Sequence, residues 1–252
     1  MKRAVMAVAV LGLVVGMGFA ASNEVSSVNI VGYNVDMVPG SNNFNLVAVQ
    51  FTAFDPSLQG VFGTNQLEAG IFPQLADKVY LFVNGGYEAY APKPPSGLFY
   101  STGDWGGMPT NPPIGAGTAM WLQSKQGTGP QKTVTLAGEA VKQSIVTNMM
   151  DTGYQLLGYP YSCERALNDM ALKDQGTGGI FPQLADRLYV WNGMGYDAYA
   201  LKSGATPAWY STADWGGTPT TDVVPLGRGF WYEARGDFTW VENNPYLGAF
   251  GN

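Results

Sequence analysis

Hydrophobic and polar residues alternate along several short stretches of the chain, a pattern typical of β-strands with two different faces. The two clearest stretches are 79–83 and 188–191, in which aliphatic residues occupy every second position and aromatic residues lie between them. In 46–49 and 156–159 apolar residues occupy both sets of positions, which predicts strands buried on both faces.

Turn-forming residues separate these stretches. Asn84-Gly85 and Asn192-Gly193 directly follow the two alternating stretches. Because Asn and Gly tolerate positive φ angles, these pairs predict tight hairpins. The return strands are then expected over 87–91 and 196–200.

One short helix is expected in each half of the chain. In the first half Asp55 is a suitable N-cap, Pro56 suits the first helical position and Gly63 can end the helix. In the second half Ser162 is the expected cap. The apolar faces of the two helices would be Leu58, Val61 and Phe62, and Leu167, Met170 and Ala171.

The chain is duplicated internally. Residues 71–77 (IFPQLAD) recur unchanged as 180–186, and residues 100–107 recur as 210–217 with one change. Repetition at this spacing indicates two copies of one structural unit. Aromatic residues recur at equivalent strand positions, and we expect them to form the repeated core. These pairs are Tyr80/Tyr189, Phe82/Trp191 and Trp121/Trp231.

These patterns predict an all-β fold. Many short strands, turn-rich connections and 34 glycines favour antiparallel sheets over alternating strands and helices. We expect two tandem sandwich- or barrel-like modules of about 110 residues, each with one short helix. The first would cover residues 21–137 and the second residues 138–252. The pattern leaves open whether the modules are sandwiches or barrels, and whether they share one core.

The first 20 residues have the pattern of a secretory signal peptide. Lys2 and Arg3 precede an apolar stretch, and small residues at Gly18 and Ala20 lie before the expected cleavage point. The apolar stretch is too short to span a bilayer, and no later apolar run has that length. We therefore expect export to the extracellular space, cell surface or periplasm, without membrane insertion of the mature chain.

Composition excludes several classes of function. The net charge is −6, and it becomes −8 without the first 20 residues, so no basic surface for nucleic acid or anionic lipid is expected. The chain has no histidine, which excludes Ser-His-Asp and Cys-His catalysis and His-ligated zinc. The single cysteine, Cys163, has no partner for an internal disulfide and is expected to be buried.

Several short motifs resemble a module of exported bacterial proteins. They are Phe44-Asn45-Leu46-Val47, then Asp55-Pro56-Ser57, then Val79-Tyr80-Leu81-Phe82, and a final Gly-x-x-Met/Phe-Trp strand. Together with Asn29-Ile30-Val31-Gly32-Tyr33, their order resembles uncharacterised secreted proteins of the Verrucomicrobia and Kiritimatiellota type. The resemblance covers nearly all of the mature chain. It implies export and a β-rich fold, and it implies no known reaction.

The Asp-Trp-Gly-Gly motif is the candidate binding site. An exposed indole can stack on the apolar face of a sugar while the neighbouring carboxylate accepts a hydroxyl hydrogen bond. Two copies would make the protein bivalent. The alternative is structural, with Trp packed over the sheet edge, Asp capping the turn and Gly-Gly supplying positive φ. The candidate residues are Asp104, Trp105, Asp214 and Trp215, with Tyr100 and Tyr210 beside them.

The other acidic residues give weaker indications. Asp77 and Asp186 are expected to cap turns or to form surface ion pairs, because no calcium-binding spacing surrounds them. A glycoside hydrolase would need two carboxylates facing each other across a cleft. Enough acids exist for such a pair, but the sequence places no two of them together. The acids considered are Glu68, Glu88, Asp104, Asp197 and Asp214.

We therefore expect an exported, non-enzymatic structural or adhesive protein of the cell surface or extracellular matrix. The alternative is a glycan-binding, lectin-like protein that uses the Asp-Trp-Gly-Gly loops, and glycoside hydrolysis comes third. The expected partner is a glycan or a second copy of the chain, through exposed strand edges. No cofactor and no metal are expected.

Overall fold

The computed structural model describes residues 29–37, 44–125 and 131–247. The expected signal peptide (residues 1–20) lies outside the described residues. So does the stretch 39–43, whose Pro, Gly, Ser and Asn residues predict a turn. The described chain consists mainly of antiparallel strands and contains two short helices, which confirms the all-β fold with two similar modules.

The first module ends in a strand that passes the boundary expected at residue 137. In order, its elements are β1 (Ile30–Met37), β2 (Phe44–Ala48), α1 (Leu58–Phe62), β3 (Lys78–Val83), β4 (Gly86–Lys93), β5 (Leu98–Ser101), β6 (Ala119–Gln123) and β7 (Lys132–Glu139).

The second module repeats this order with small additions. Its elements are β8 (Ile145–Met150), β9 (Gly153–Gly158), β10 (Arg165–Ala166), α2 (Leu172–Gln175), β11 (Arg187–Trp191), β12 (Tyr196–Lys202), β13 (Ala208–Ser211), β14 (Val223–Val224), β15 (Gly229–Ala234) and β16 (Phe238–Asn243).

Each module is a sandwich of two unequal antiparallel layers. In the first, a five-stranded sheet of order β2-β6-β3-β4-β5 is covered by the β1-β7 pair. In the second, the sheet β9-β15-β11-β12-β13 is covered by the β8-β16 pair, and β10 pairs with β14. Both five-stranded sheets are open, so neither described module is a closed barrel.

Each sandwich buries its own hydrophobic core. In the first, Val35 and Leu136 from the covering pair pack with Val79 and Leu81 of β3. The second core contains fully buried aromatic residues, among them Trp209 and Trp240. The alternation in the sequence thus correctly identified the inward aliphatic positions of β3 and β11.

The first hairpin has the geometry expected from its sequence. Asn84 (φ 51°) and Gly85 (φ 78°) both adopt the left-handed conformation between β3 and β4. In the second module the loop is longer, and the Asn192 side-chain oxygen accepts hydrogen bonds from the backbone N–H groups of Met194 and Gly195. Asn192 therefore caps its loop through the side chain.

Gly85→Ala should lower the free energy of unfolding by about 1 kcal/mol, because a β-carbon disfavours the left-handed conformation. Gly86→Ala is the matched control. Both sites have open space for a β-carbon, but only Gly85 has a positive φ. Urea denaturation of both variants measures the difference, and equal stabilities would contradict this account of the turn.

The predicted helix caps were wrong in both modules. The N-cap of α1 is Ser57, whose hydroxyl oxygen accepts the Gly60 N–H at 3.1 Å, so the helix begins two residues later than Asp55 suggested. Gly63 does end the helix, at φ 66°. Ser162 instead donates its hydroxyl hydrogen bond to the Gln50 carbonyl of the first module, and α2 begins only at Leu172.

Asp77 and Asp186 are fully buried and are not surface ion-pair residues. The Asp186 carboxylate accepts backbone N–H bonds from Thr177 (2.8 Å) and Arg235 (2.6 Å), and a hydroxyl bond from Tyr232 (2.7 Å). Asp77 likewise accepts the backbone N–H groups of Glu68, before β3, and Lys125, after β6, and it pairs with Lys132. Each carboxylate thus connects, by hydrogen bonds, backbone segments that are distant in the sequence of its module.

Candidate functional site

The two modules pack against each other with the reciprocity of a two-fold interface. Residues 47 and 118 occupy the same repeat positions as 157 and 228, which follow 110 residues later. Val47 bridges to Arg228, and Thr118 bridges to Leu157. Because each contact recurs with the two copies exchanged, an internal pseudo-two-fold axis relates the modules.

Small residues lie on this axis. Ala48 contacts its own equivalent, Gly158, and Ala119 contacts its own equivalent, Gly229. A β-carbon added at Gly158 would lie 2.3 Å from the Ala48 β-carbon, and one at Gly229 would lie 2.7 Å from that of Ala119. These four small residues let the two sheets approach closely, and larger side chains flank the contact.

Ten aromatic side chains surround this contact in a closed circuit. Successive ring centroids are 4.7–6.4 Å apart. Each module supplies five rings, from equivalent positions. We call this set the aromatic circuit, and in order it is Phe44, Tyr80, Tyr87, Phe82, Trp231, Tyr154, Tyr189, Tyr196, Trp191 and Trp121.

The circuit corrects the prediction that these aromatic residues form the repeated core. Tyr80 and Phe82 of β3 point to the side of the sheet opposite the aliphatic core, and they are only half-buried. The same holds for Trp191 and Trp231, while Trp121 is 8% exposed. The second apolar face of each sheet therefore packs on the other module and stays partly open to solvent.

Two neighbouring cavities open along the circuit. One has a volume of about 420 Å³ and the other about 410 Å³. Tyr196 lines both, so the cavities adjoin, and every lining residue is aromatic. The first cavity is lined by Phe44, Tyr80, Tyr87, Trp121, Trp191 and Tyr196, and the second by Phe82, Tyr154, Tyr189, Tyr196 and Trp231.

Two equivalent hydrogen bonds join tryptophan and tyrosine side chains of the circuit. The Trp121 indole N–H donates to the Tyr87 hydroxyl oxygen at 3.0 Å, and the Trp231 indole N–H donates to that of Tyr196 at 3.1 Å. The two tyrosines remain 49% and 41% exposed. Partial burial raises the pKa of both phenols, so both keep their protons near neutral pH.

Two further hydroxyls of the circuit donate to side chains outside it. The Tyr80 hydroxyl donates to Gln123 at 2.6 Å, and the equivalent Tyr189 hydroxyl donates to Glu233 at 2.8 Å. Burial raises the pKa of Tyr189 to about 12, the bond to Arg187 opposes this rise, and the Glu233 carboxylate adds to it. Glu233 is itself paired with Arg235 at 2.9 Å. The circuit thus presents neutral rings and hydroxyls.

No protein-family model, curated protein or solved structure matches the chain. The resemblance to secreted proteins of the Verrucomicrobia and Kiritimatiellota type therefore stays a prediction.

The Asp-Trp-Gly-Gly loops lie away from the circuit and contact the duplicated IFPQLAD segments. The Trp105 indole N–H donates to the Ile71 carbonyl at 2.9 Å, and that of Trp215 donates to the Ile180 carbonyl at 3.1 Å. Both indoles are half-buried. The two most similar segments of the repeat therefore meet in both modules.

A lysine covers each pair of predicted site rings. The Lys93 ammonium lies 4.8 Å from the Tyr100 ring centroid and 5.5 Å from that of Trp105. Lys202 lies similarly over Tyr210 and Trp215. These cation–π contacts and the indole hydrogen bonds occupy groups that a sugar would use. Asp104 and Asp214 are exposed beside them, so ligand binding at the loops stays a prediction.

The metal-ligating side chains of the described residues are dispersed. Nowhere in 29–37, 44–125 and 131–247 do three His, Cys, Asp or Glu residues come together in a way that could hold a metal ion. Cys163 is half-buried, and burial raises the pKa of its thiol.

Within the described ranges, none of the helices has the length and apolar character needed to cross a membrane.

Sequence reasoning missed four exposed members of the circuit: Phe44, Tyr87, Tyr154 and Tyr196. A usable signal was present, because both faces of β3 and β11 are hydrophobic although one small sandwich can bury only one of them. The second hydrophobic face of each sheet had to pack on the other module or bind a ligand. It packs on the other module over only part of its area.

Proposed function

We propose that this protein binds a neutral glycan at the aromatic circuit. The observation that carries the proposal is the closed set of ten rings around two adjoining cavities whose lining is entirely aromatic. Binding sites for small molecules are typically concave and apolar, with a few polar groups that fix orientation. Here the polar groups are tyrosine hydroxyls.

Ring exposure supports a sugar as the ligand. Tyr154 is 53% exposed, and Phe44 is 37% exposed, so rings of both modules present apolar surface at the two cavities. The C–H face of a pyranose can stack on such rings, while its hydroxyls bond to phenol oxygens. A purely aliphatic ligand would leave the hydroxyls without partners.

Charge favours a neutral glycan over an acidic one. The chain has a net charge of −6, and no basic side chain lines either cavity. A uronic acid or sulfated glycan would therefore meet a repulsive field without a compensating cation. A neutral oligosaccharide avoids this cost.

The arrangement favours binding over hydrolysis. The two aromatic cavities have no carboxylate in their lining, and a third cavity beside Phe82 and Tyr154 has one, Asp151, whereas glycoside hydrolysis requires two across the scissile bond. Among the acids considered from sequence, Glu88 accepts the Tyr90 hydroxyl and Asp197 accepts the Asn192 amide. We propose that the protein is exported, non-enzymatic and adhesive. Such a protein would use the two adjoining cavities to hold a surface glycan.

Replacing two exposed rings should abolish most binding. In Tyr87→Ala with Tyr196→Ala, we expect the dissociation constant for a neutral hexasaccharide to rise at least about 30-fold, since each lost stacking ring costs about 1–2 kcal/mol. The probes are hexamers of β-1,4-linked glucose, β-1,4-linked N-acetylglucosamine and α-1,4-linked glucose, titrated by calorimetry. Melting temperature and near-UV circular dichroism check that the variant is folded.

The matched control is Trp105→Ala with Trp215→Ala, which removes two rings from the Asp-Trp-Gly-Gly loops. We expect this variant to bind as the wild type does. Loss of binding in the loop variant alone would place the glycan site at the loops. A folded wild-type protein that binds none of the three hexasaccharides would overturn the proposal.

A further inference from the structure

Tyr87 and Tyr196 occupy equivalent positions at the centre of the circuit. Each follows the hairpin of its module, and both line the larger of the two cavities. Burial raises the pKa of Tyr87, and the neighbouring Tyr196 phenol adds to this rise. The two phenols thus lie together where the modules meet.

Both hydroxyl groups have an unused donor. Each oxygen accepts an indole N–H, and an indole cannot accept the phenol proton in return. No described residue accepts the hydrogen of either hydroxyl. The tryptophan bonds therefore fix the oxygen positions while both O–H groups remain available to a ligand.

The geometry points to a paired donor site, in which the Tyr87 and Tyr196 hydroxyls each donate a hydrogen bond to an oxygen of one bound oligosaccharide. This inference rests on the proposed function and names its polar recognition. Because the donors are related by the pseudo-two-fold axis and the cavities share Tyr196, a single chain that crosses the axis meets both. The ligand must offer two acceptor oxygens, such as sugar hydroxyl or ring oxygens on neighbouring residues.

Phenylalanine substitutions separate the hydroxyls from the rings. Tyr87→Phe and Tyr196→Phe each keep the stacking surface and remove one donor, together with the acceptor of the Trp121 or Trp231 indole N–H. We expect each to weaken hexasaccharide binding by about 3–10-fold, the range for one neutral hydrogen bond. The double variant should lose about 10–100-fold. Calorimetric titration with the hexasaccharides used above provides the readout, and melting temperature verifies that the fold is retained.

Tyr100→Phe with Tyr210→Phe is the matched control, because it removes two equivalent hydroxyls from the predicted loop sites. Its affinity should equal that of the wild type. Similar losses of affinity in Tyr87→Phe and Tyr196→Phe support the paired donor site. A loss of affinity in only one of the two variants overturns the pairing. A double Phe variant that binds normally, beside a Tyr→Ala variant that does not, overturns this inference and leaves glycan binding intact. A folded wild-type protein that binds no hexasaccharide overturns both the proposed glycan binding and this inference.

Discussion

Asp186→Asn should lower the free energy of unfolding by about 2–4 kcal/mol, since buried donors that lose their acceptor cost about 1–3 kcal/mol each. The buried carboxylate accepts three hydrogen bonds, from Thr177, Arg235 and Tyr232. An asparagine has only one acceptor oxygen. Whichever way its amide turns, its NH₂ group must face at least one backbone N–H donor.

Urea denaturation followed by tryptophan fluorescence measures this effect. The control is Asp174→Asn, which makes the same chemical change at an exposed site of the same module. We expect the control to stay within about 0.5 kcal/mol of the wild type. If Asp186→Asn were equally mild, the carboxylate would not hold the second module together in the way the contacts indicate.

Gly158→Ala should lower the free energy of unfolding by about 1–3 kcal/mol, the usual cost of overpacking a close contact. The added β-carbon would lie 2.3 Å from the Ala48 β-carbon, at the axis between the modules. The φ of Gly158 is not in the left-handed region, so the cost arises from the contact and not from the backbone.

Exchanging the two residues should restore stability. In Ala48→Gly with Gly158→Ala the single methyl group moves to the other side of the pseudo-two-fold axis, and the contact regains its original volume. We expect the double variant to lie within about 1 kcal/mol of the wild type, the remainder reflecting the entropic cost of glycine in a strand. Double-variant stability equal to the sum of the two single losses would show that the modules do not meet at these residues.

The sequence predicted the features that depend on local chemistry. Alternation in 79–83 identified which residues of β3 point into the core, and Asn84-Gly85 identified the hairpin. The duplication correctly indicated two similar modules. The helix caps were wrong because Asp55 and Ser57 both suit an N-cap, and only the tertiary position of the first turn decides between them.

The circuit could not be predicted because it depends on the packing of one module on the other. Tyr80 and Trp191 occupy strand positions that would suit a core equally well. The modules approach each other closely at Ala48 and Gly158, and the sequence does not reveal this contact because the two residues are far apart in the chain. The buried state of Asp77 was hidden for a different reason, because its N–H donors, Glu68 and Lys125, lie in the same module but 9 and 48 residues away in sequence.

The most direct test of the central claim is a ¹H–¹⁵N NMR titration of the seven tryptophan indole N–H signals with the bound hexasaccharide. The indoles report on three places at once: the circuit (Trp121, Trp191 and Trp231), the loops (Trp105 and Trp215) and the buried core (Trp209 and Trp240). Glycan binding at the circuit predicts saturable shifts of the first group alone. Shifts confined to the loop indoles, or no shifts at saturating sugar, would contradict it.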